Sequence, residues 1–428
     1  MAEDRFSARP ILPVSSVTLA ISSGLKCCFN LRDELTYKRI TARSSGENMA
    51  KHTRLATWGG VAALLATSLW PLASSAVTAV YVSAAGDGEI RAYTLNTKNG
   101  QLTATGSVTA GPQVMPMALS PDKRHLYAAV RGKPYTLAGY AIDRKTGALS
   151  PAGTAPLPDS MAYISTDRTG RWLLSASYGG NKVAVSPIAA DGRVSAEAVQ
   201  VLPTGKNAHS IITDRQNRFA LVSNLGSDQL LQYRFDAKHG QLIPNSPAEL
   251  ALPPGNGPRH LVLSPDNRTL YVSNELSGKV ARLSLNKTTG RLTLRDYTDA
   301  LPADAGMQPG TVDPKAPGID NRPKIWSADL RLTPNGRFLY VSERTSSTLS
   351  LLRVTPKSGQ LRYVTRYPTE TQPRGIQVDP SGRYLIASGE KSDQLSVYRI
   401  NQTSGELTLT GRFPTGKGAN WIEIVTLP

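Results

Sequence analysis

The chain has 428 residues, of which 40% are hydrophobic and 19% are charged, so it is long enough for a large core and unlike a disordered chain. Its two cysteines are the adjacent Cys27 and Cys28, which excludes a disulfide framework and a cysteine-based zinc site. The formal net charge is +17, but no block of five Lys or Arg occurs after residue 76, so no nucleic-acid partner is expected.

The N-terminal part of the chain is predicted to lie outside the folded domain. Residues 1–48 show no sustained periodicity and are interpreted as a non-structural extension. Residues 49–76 combine a short basic stretch, an uncharged run and closing small residues, which is the order of a secretory signal. Cleavage after Ala76 would leave residues 77–428 as the mature domain.

Two alternatives remain open for this leader. The uncharged run from Ala56 to Ala76 could instead be an uncleaved membrane anchor, which Gly59, Gly60 and Pro71 disfavour. If Met49 is the true start, residues 1–48 are upstream sequence read as codons. We therefore expect a periplasmic or secreted protein without stable membrane insertion after cleavage.

The rest of the chain repeats one unit seven times. A glycine turn followed two residues later by an aliphatic residue recurs at intervals of 47, 45, 48, 50, 69 and 46 residues. Its glycines are Gly100, Gly147, Gly192, Gly240, Gly290, Gly359 and Gly405.

A second motif interleaves with the glycine turns: a turn that ends in arginine, followed by an aromatic and aliphatic run. Its arginines, called signature arginines below, are Arg124, Arg171, Arg218, Arg268, Arg337 and Arg383. Short runs of β-forming residues between Pro, Asp, Asn and Gly turns, at about 50 residues per unit, are typical of β-propellers. We therefore predict an all-β, seven-bladed β-propeller with four antiparallel strands per blade.

Two features of the propeller can be predicted beyond the repeat itself. The C-terminal segment 421–425 should pair with the N-terminal segment 80–83 in one blade, because ring closure hides the edge strands. The 69-residue interval contains an insertion near Leu301–Lys324, rich in Pro, Asp and Gly, which is either a lid or a plain surface excursion.

The repeat also allows equivalent positions in different units to be compared. The strand before each signature arginine should line the axis and the strand after it should run back antiparallel. Positions nine residues before and seven residues after the arginine should therefore meet at one mouth of the channel. The minus-nine positions are Met115, Ala162, His209, Arg259, Ala328 and Arg374. The plus-seven positions are Arg131, Tyr178, Leu225, Glu275, Arg344 and Glu390.

Neighbouring positions add His260 at minus eight and Asn274 and Glu343 at plus six. Arginines, a histidine and glutamates are thus predicted to converge on one end of the axis. Polar residues occur at any mouth that water reaches, and a single arginine there is commonly solvated or ion-paired. Several cations around a histidine in a concave site instead favour binding of a carboxylate or phosphate.

Four stretches of the sequence are distinctive: Pro-Met-Ala-Leu-Ser-Pro-Asp-Lys-Arg124, Gly-Pro-Arg-His260, Ser-Asn-Glu-Leu276 and Thr-Glu-Thr-Gln-Pro-Arg-Gly375. In these stretches the chain resembles the bacterial β-propeller 6-phosphogluconolactonase family, which is related to fungal carboxymuconate-lactonising enzymes. The resemblance covers essentially all of 77–428 and implies a lactone hydrolase that needs no metal. We expect no other cofactor.

In the lactonising relatives a His, Arg, Glu and Arg set surrounds the channel. By motif this set falls on His209, Arg259, Glu275 and Arg344. Our hypothesis is that His209 or Glu275 is the general base that activates water and that the two arginines stabilise the oxyanion. The expected substrate-binding residues are Arg374, Arg131, His260, Asn274 and Tyr178.

The expected partner is a small anionic or sugar lactone, and the protein is expected to be a monomer. A family enzyme of sugar-phosphate metabolism works in the cytoplasm, so export would favour an unphosphorylated aldonolactone over 6-phosphogluconolactone. A cytoplasmic location remains the alternative. A muconate-type cycloisomerase and a non-catalytic exported binding propeller are the other two functions to be considered.

Overall fold

The computed structural model describes residues 76–313 and 321–428, which form 28 β-strands in seven four-stranded antiparallel sheets. The helical structure in these residues is the 3₁₀ turn Leu225–Ser227. The predicted seven-bladed propeller is therefore confirmed. The proposed extension 1–48 and nearly all of the proposed signal 49–76 lie outside the described residues.

Six blades consist of four consecutive strands each. Blade 1 comprises β4 Val114–Leu119, β5 His125–Val130, β6 Thr136–Ile142 and β7 Leu149–Pro156. Blade 2 comprises β8 Met161–Thr166, β9 Trp172–Ser177, β10 Lys182–Pro187 and β11 Gln200–Pro203. Blade 3 comprises β12 Ala208–Thr213, β13 Phe219–Asn224, β14 Gln229–Asp236 and β15 Gln241–Ala251.

Blades 4 to 6 continue the pattern. Blade 4 comprises β16 Pro258–Leu263, β17 Thr269–Asn274, β18 Lys279–Leu285 and β19 Leu292–Asp299. Blade 5 comprises β20 Ser327–Leu332, β21 Phe338–Glu343, β22 Thr348–Val354 and β23 Leu361–Pro368. Blade 6 comprises β24 Pro373–Val378, β25 Tyr384–Gly389, β26 Gln394–Ile400 and β27 Leu407–Pro414.

The seventh, closing blade joins the two ends of the domain. Its strands are β28 Ala419–Thr426, β1 Thr78–Ala84, β2 Glu89–Leu95 and β3 Leu102–Thr109, in that spatial order. Tyr81 stands opposite Glu423, and Ser83 stands opposite Trp421. The predicted pairing of segments 80–83 and 421–425 is confirmed, and it covers the edges that two unpaired terminal strands would expose.

The two repeated motifs meet at blade boundaries. The glycine turns lie between the third and fourth strands of their blades, whereas the signature arginines lie between the first and second strands. The Tyr127 hydroxyl donates to the Gly192 carbonyl at 2.9 Å, and the Tyr340 hydroxyl donates to the Gly405 carbonyl at 2.7 Å. A side chain on Gly405, whose φ is 81°, would place its Cβ 2.4 Å from the Phe338 ring. Glycine is therefore required here by both backbone conformation and packing.

The hydrophobic core lies within and between the blades rather than in one central mass. Valine, leucine and tyrosine side chains from the two middle strands of each blade are almost completely buried, as at Leu270, Val272 and Tyr271. The first strand of each blade lines the axis, and neighbouring first strands pack against each other around the ring. The first strands therefore surround the axis of the propeller.

The insertion follows β19 at the same end of the axis as the Asn274–Lys279 turn. Ile325 donates its amide to the Gln308 carbonyl at 2.9 Å, and Gly310 donates its amide to the Leu276 carbonyl at 2.8 Å. The two described arms of the Leu301–Lys324 insertion are thus joined to each other and to blade 4. The lid interpretation stays a prediction, because residues 314–320 lie outside the described part.

Candidate active site

The predicted cluster lies at the end of the axis where the first strands begin, called the site mouth below. A β-bulge explains how two consecutive residues reach it. Pro258 pairs with Asn274 and Leu261 pairs with Val272, so Arg259 and His260 together oppose Ser273 alone. An extra residue interrupts the in–out alternation of a strand. Both Arg259 and His260 therefore contact other residues of the axial cluster, where a regular strand would send them to opposite faces.

The centre of the cluster is a carboxylate held between two arginines. Glu275 Oε2 lies 2.7 Å from Arg259 Nε, and its Oε1 lies 3.0 Å from Arg344 Nη2. Burial alone would raise the carboxyl pKa, but Arg344 and Arg259 hold the pKa of Glu275 below its ordinary value. Glu275 is therefore ionised at neutral pH and committed to the two guanidinium groups.

Both arginines of this clamp are also anchored to main-chain carbonyls of blade 5. Arg259 Nη1 donates to the Ala328 carbonyl at 2.7 Å, and Arg344 Nε donates to the Trp326 carbonyl at 3.1 Å. Burial lowers the pKa of Arg259 to about 9, which leaves the guanidinium charged at neutral pH. The clamp is thus a rigid, buried pair of cations around one anion.

A second group of cations stands further round the mouth. Arg374 Nη1 lies 3.4 Å from Glu390 Oε1, and Gln372 donates to the other oxygen of Glu390 at 2.9 Å. Arg131 donates from Nε to Ser160 Oγ at 3.0 Å, and among the described residues it has no carboxylate partner. Burial and the nearby charge of Arg374 lower the pKa of Arg131. Arg131 is thus a cation with spare capacity for an anionic ligand.

His209 supplies a group of a different kind. Its side chain is 3% exposed, and its Nδ1 is buried without a hydrogen-bond partner among the described residues. Burial, and then the charge of Arg259, hold the pKa of His209 well below its ordinary value, so the imidazole is neutral. Its ring packs edge-on against Tyr178 at 5.8 Å. An unpaired nitrogen on a neutral imidazole is unusual in a protein interior, where polar groups are generally satisfied.

Two of the predicted substrate-binding residues make hydrogen bonds inside the protein, although Asn274 Oδ1 is buried without a partner among the described residues. His260 contacts Asp329 through Nδ1 at 2.8 Å and Arg259 through Nε2 at 3.1 Å. Asn274 donates its amide to the Lys279 carbonyl at 3.0 Å, within the turn that follows β17. Of the nine predicted residues, His209, Arg259, His260 and Asn274 are at most 3% exposed, so they lie below the surface of the mouth.

An open cavity of about 520 Å³ lies at this mouth. Glu275 and Arg344 form one side of it, and Trp326, Gln372 and Lys391 line the rest together with small hydroxyl residues. The Arg344 guanidinium sits over the Trp326 ring at 5.9 Å. This volume is sufficient for a small sugar-like ligand.

The sequence analysis missed Trp326, Lys391 and Asp329. Trp326 precedes β20 at minus eleven and Lys391 follows β25 at plus eight, two repeat positions that were not among those compared in the sequence. Asp329 was within reach, because it lies eight residues before Arg337, as His260 lies eight before Arg268. Within the described part of the chain, no three His, Cys, Asp or Glu side chains are grouped so as to hold a metal ion.

Comparisons with known proteins place this geometry in context. The chain matches the family model described as "Lactonase, 7-bladed beta-propeller" over residues 76–424. It is 39% identical over 300 residues to a 6-phosphogluconolactonase of Pectobacterium carotovorum, a match that covers 70% of this chain and 84% of that protein. A 6-phosphogluconolactonase of Serratia proteamaculans is 40% identical over 301 residues, with the same two coverages.

Among solved structures, the periplasmic gluconolactonase of Pseudomonas aeruginosa is similar with a TM-score of 0.72 and 27% identity. That match covers 82% of this chain and 100% of the other. The fold and the matches together define a propeller enzyme that acts on cyclic esters. The chain belongs to the seven-bladed β-propeller lactonase family, as its sequence motifs implied, and is a lactone hydrolase.

Proposed function

We propose that the protein hydrolyses a sugar lactone at the site mouth, with a water molecule that His209 activates. The observation that carries this assignment is the buried, unpaired Nδ1 of the neutral His209 imidazole beside the arginine clamp. A neutral imidazole accepts a proton from water, whereas Glu275 is committed to Arg259 and Arg344. Of the two general bases that the sequence left open, the geometry therefore favours His209.

In this mechanism Arg259 and Arg344 stabilise the oxyanion that develops on the lactone carbonyl. Each is fixed by a main-chain carbonyl and by Glu275, so little reorganisation is needed when charge develops. Glu275 keeps the two guanidinium groups charged and close together. One carboxylate leaves a net positive charge on the clamp, which suits a negative transition state.

Arg374, Arg131 and Tyr178 are proposed to bind the distal part of the substrate. Four guanidinium groups face two carboxylates at this mouth, which leaves an excess of two positive charges. Such an excess favours a lactone that carries a phosphate or carboxylate, and arginine can bind either group bidentately. The names of the relatives suggest two substrates, 6-phosphogluconolactone and an unphosphorylated aldonolactone.

The compartment bears on which substrate is natural. The signal-like order of residues 49–76 and the periplasmic gluconolactonase among the similar structures both support a periplasmic or secreted enzyme. No helix in residues 76–313 or 321–428 is long and apolar enough to span a bilayer. We propose an exported monomer, and gel filtration of the purified protein tests the monomer. Export favours an unphosphorylated aldonolactone as substrate, whereas the excess of arginines favours 6-phosphogluconolactone.

The deciding experiment follows acid release by pH-stat from 6-phosphogluconolactone and from gluconolactone, with spontaneous opening subtracted. Acceleration of gluconolactone alone supports the exported aldonolactonase. Acceleration that depends on the phosphate identifies a phosphogluconolactonase and argues against export. No acceleration of either substrate would reject the proposal in favour of a cycloisomerase or a binding propeller.

A further inference from the structure

A buried histidine and aspartate lie directly behind the arginine clamp. His260 is 2% exposed and Asp329 is 1% exposed, and Asp329 Oδ1 lies 2.8 Å from His260 Nδ1. On its other side, His260 Nε2 lies 3.1 Å from Arg259 Nη1. A continuous line of polar contacts therefore runs from blade 5 through His260 to the guanidinium of Arg259.

The chemistry of the three groups sets the position of the proton on His260. A guanidinium donates hydrogen bonds and cannot accept them, so Nε2 of His260 must be the acceptor towards Arg259. Burial, and then the charge of Arg259, lower the pKa of His260, so the ring is neutral and carries one proton. That proton is consequently on Nδ1, where it is donated to Asp329.

Asp329 is itself held rigidly in the acceptor role. Its Oδ1 accepts the Leu330 amide at 2.9 Å, and its Oδ2 accepts the Ile376 amide at 3.2 Å. Arg331 Nη2 lies 3.1 Å from the same Oδ2. Burial raises the pKa of Asp329, but each of these contacts places a donor against the carboxylate, which fixes its orientation as an acceptor.

We propose that Asp329 is a positioning residue: it selects the Nδ1-protonated tautomer of His260, and His260 in turn orients Arg259 towards the substrate. The inference rests on the proposed function, in which Arg259 stabilises the oxyanion. With the other tautomer, an N–H of His260 would face an N–H of Arg259 and push the guanidinium away. Asp329 and His260 then affect turnover without touching the substrate.

Other buried aspartates of the chain provide the matched control. Asp379 is also 1% exposed, but it accepts the amides of Arg383 and Tyr384 at 2.8 and 2.7 Å in a turn of blade 6. Its replacement therefore removes a buried carboxylate without changing any histidine. A purely structural effect of losing such a carboxylate would appear equally in Asp379→Asn.

The activity test compares Asp329→Asn with Asp379→Asn in the full chain. Asparagine places an NH₂ group against the donors around Asp329, so we expect kcat to fall by about 10-fold to 100-fold with little change in KM. Asp379→Asn should lower thermal stability and leave kcat of the folded enzyme within about twofold. Equal losses of kcat in the two variants, or none in Asp329→Asn, would overturn the proposal.

A double-variant comparison tests whether Asp329 acts through His260. In His260→Gln, the amide oxygen can accept from Arg259 without any tautomer, so Asp329 has no proton position to select. Adding Asp329→Asn to His260→Gln should then cost less than about twofold further in kcat. A second loss as large as that in the wild-type background would contradict the coupling.

The tautomer is measurable without substrate, by ¹⁵N-histidine NMR of the wild-type protein. The signals of His260 are those that vanish in His260→Gln, and we expect a protonated Nδ1 and a bare Nε2. A proton on Nε2 would overturn the inference, whether or not Asp329→Asn folds. If the wild-type protein has no lactonase activity on any substrate tried, the proposed function is rejected instead. Failure of the tautomer inference can therefore be distinguished from failure of the proposed function.

Discussion

The two ends of the propeller axis both carry arginines, but they use them differently. At the site mouth, Arg259 and Arg344 turn towards Glu275 and the open cavity. At the far mouth, where the first strands end, Arg168 donates to the Asp214 carbonyl at 3.4 Å and Arg215 donates to the Ser264 carbonyl at 2.9 Å. Each far-mouth arginine thus joins its own blade to the next.

Smaller residues at the far mouth repeat this pattern. Ser165 donates its hydroxyl to the Ile211 carbonyl at 2.7 Å, and Thr166 donates to the Leu119 carbonyl at 2.8 Å. A cavity of about 370 Å³ exists there as well, but these donors already make hydrogen bonds to main-chain carbonyls of neighbouring blades. A polar, concave propeller mouth is therefore not enough to indicate a catalytic site. The informative feature is whether its polar atoms remain available to a ligand.

The largest expected effect concerns His209, whose buried Nδ1 has no hydrogen-bond partner among the described residues. His209→Ala should lower kcat by about 10²-fold to 10⁴-fold, the range for loss of a general base. The pH-stat assay on the better lactone substrate measures it. His239→Ala is the control, because His239 is exposed on a turn, paired with Asp236 at 2.7 Å. Unchanged turnover in His209→Ala would show that another group is the general base.

One arginine variant at each mouth tests whether the two mouths differ in function. Arg344→Ala should lower kcat/KM by about 10²-fold to 10³-fold, since it removes a donor aimed at the developing charge. Arg168→Ala should lower the melting temperature and leave kcat/KM within about twofold, because Arg168 contacts main-chain carbonyls only. A comparable activity loss in Arg168→Ala would mean that the far mouth takes part in catalysis.

A smaller effect should separate charged from uncharged substrates. Arg131→Ala removes the guanidinium without a carboxylate partner, so KM for 6-phosphogluconolactone should rise by about 10-fold. KM for gluconolactone should change by less than about twofold, because that lactone has no anionic group. Steady-state kinetics on both lactones provide the test. An equal rise in both KM values would place Arg131 against the sugar ring instead.

The smallest effect concerns two carboxylates whose pKa values move in opposite directions. Burial raises the pKa of Glu423, at the far mouth, to about 7. The folded state therefore keeps a proton that the unfolded state has released, and this stabilisation is lost as pH rises through about 7. For Glu275, whose folded pKa is lowered, stabilisation is present at neutral pH and lost as pH falls through that lowered value.

Unfolding in urea at several pH values from about 3 to 8 tests the direction of both changes in stability. Relative to wild type, Glu423→Gln should become more stable as pH rises, and Glu275→Gln should become less stable. Glu423→Gln keeps an oxygen that can accept from the Trp421 indole, which limits packing differences. Parallel pH curves for the two variants would show that the mouths do not differ electrostatically.

The fold was predictable because it repeats. The glycine turns and signature arginines recur in register, and the structure shows why: tyrosines that follow the arginines, such as Tyr127, bond to turn glycines of the next blade. Because the same contact joins several pairs of blades, the residues that make it recur at regular intervals in the sequence. Counting from these recurring residues predicted that His209, Arg259 and Arg344 lie at one mouth.

The direction of individual side chains was not predictable in this way. His260 was predicted at minus eight, but its contact with Asp329 behind Arg259 was not. Asn274 has a repeat position next to Glu275, yet its amide is held by the carbonyl of Lys279. Trp326 stands at minus eleven, a repeat position where no other unit carries an aromatic residue. Such details depend on hydrogen bonds between distant residues, which a periodic pattern does not encode.

Closure of the ring has a consequence for the order of events in biosynthesis. The Thr78 and Thr426 hydroxyls lie 3.1 Å apart although they are 348 positions apart in the chain. The closing blade therefore cannot form until the last strand has left the ribosome. Until then β1 presents an unpaired edge, which is prone to wrong pairing during synthesis. Pairing of the eight-residue strand β28 with β1 then covers this edge.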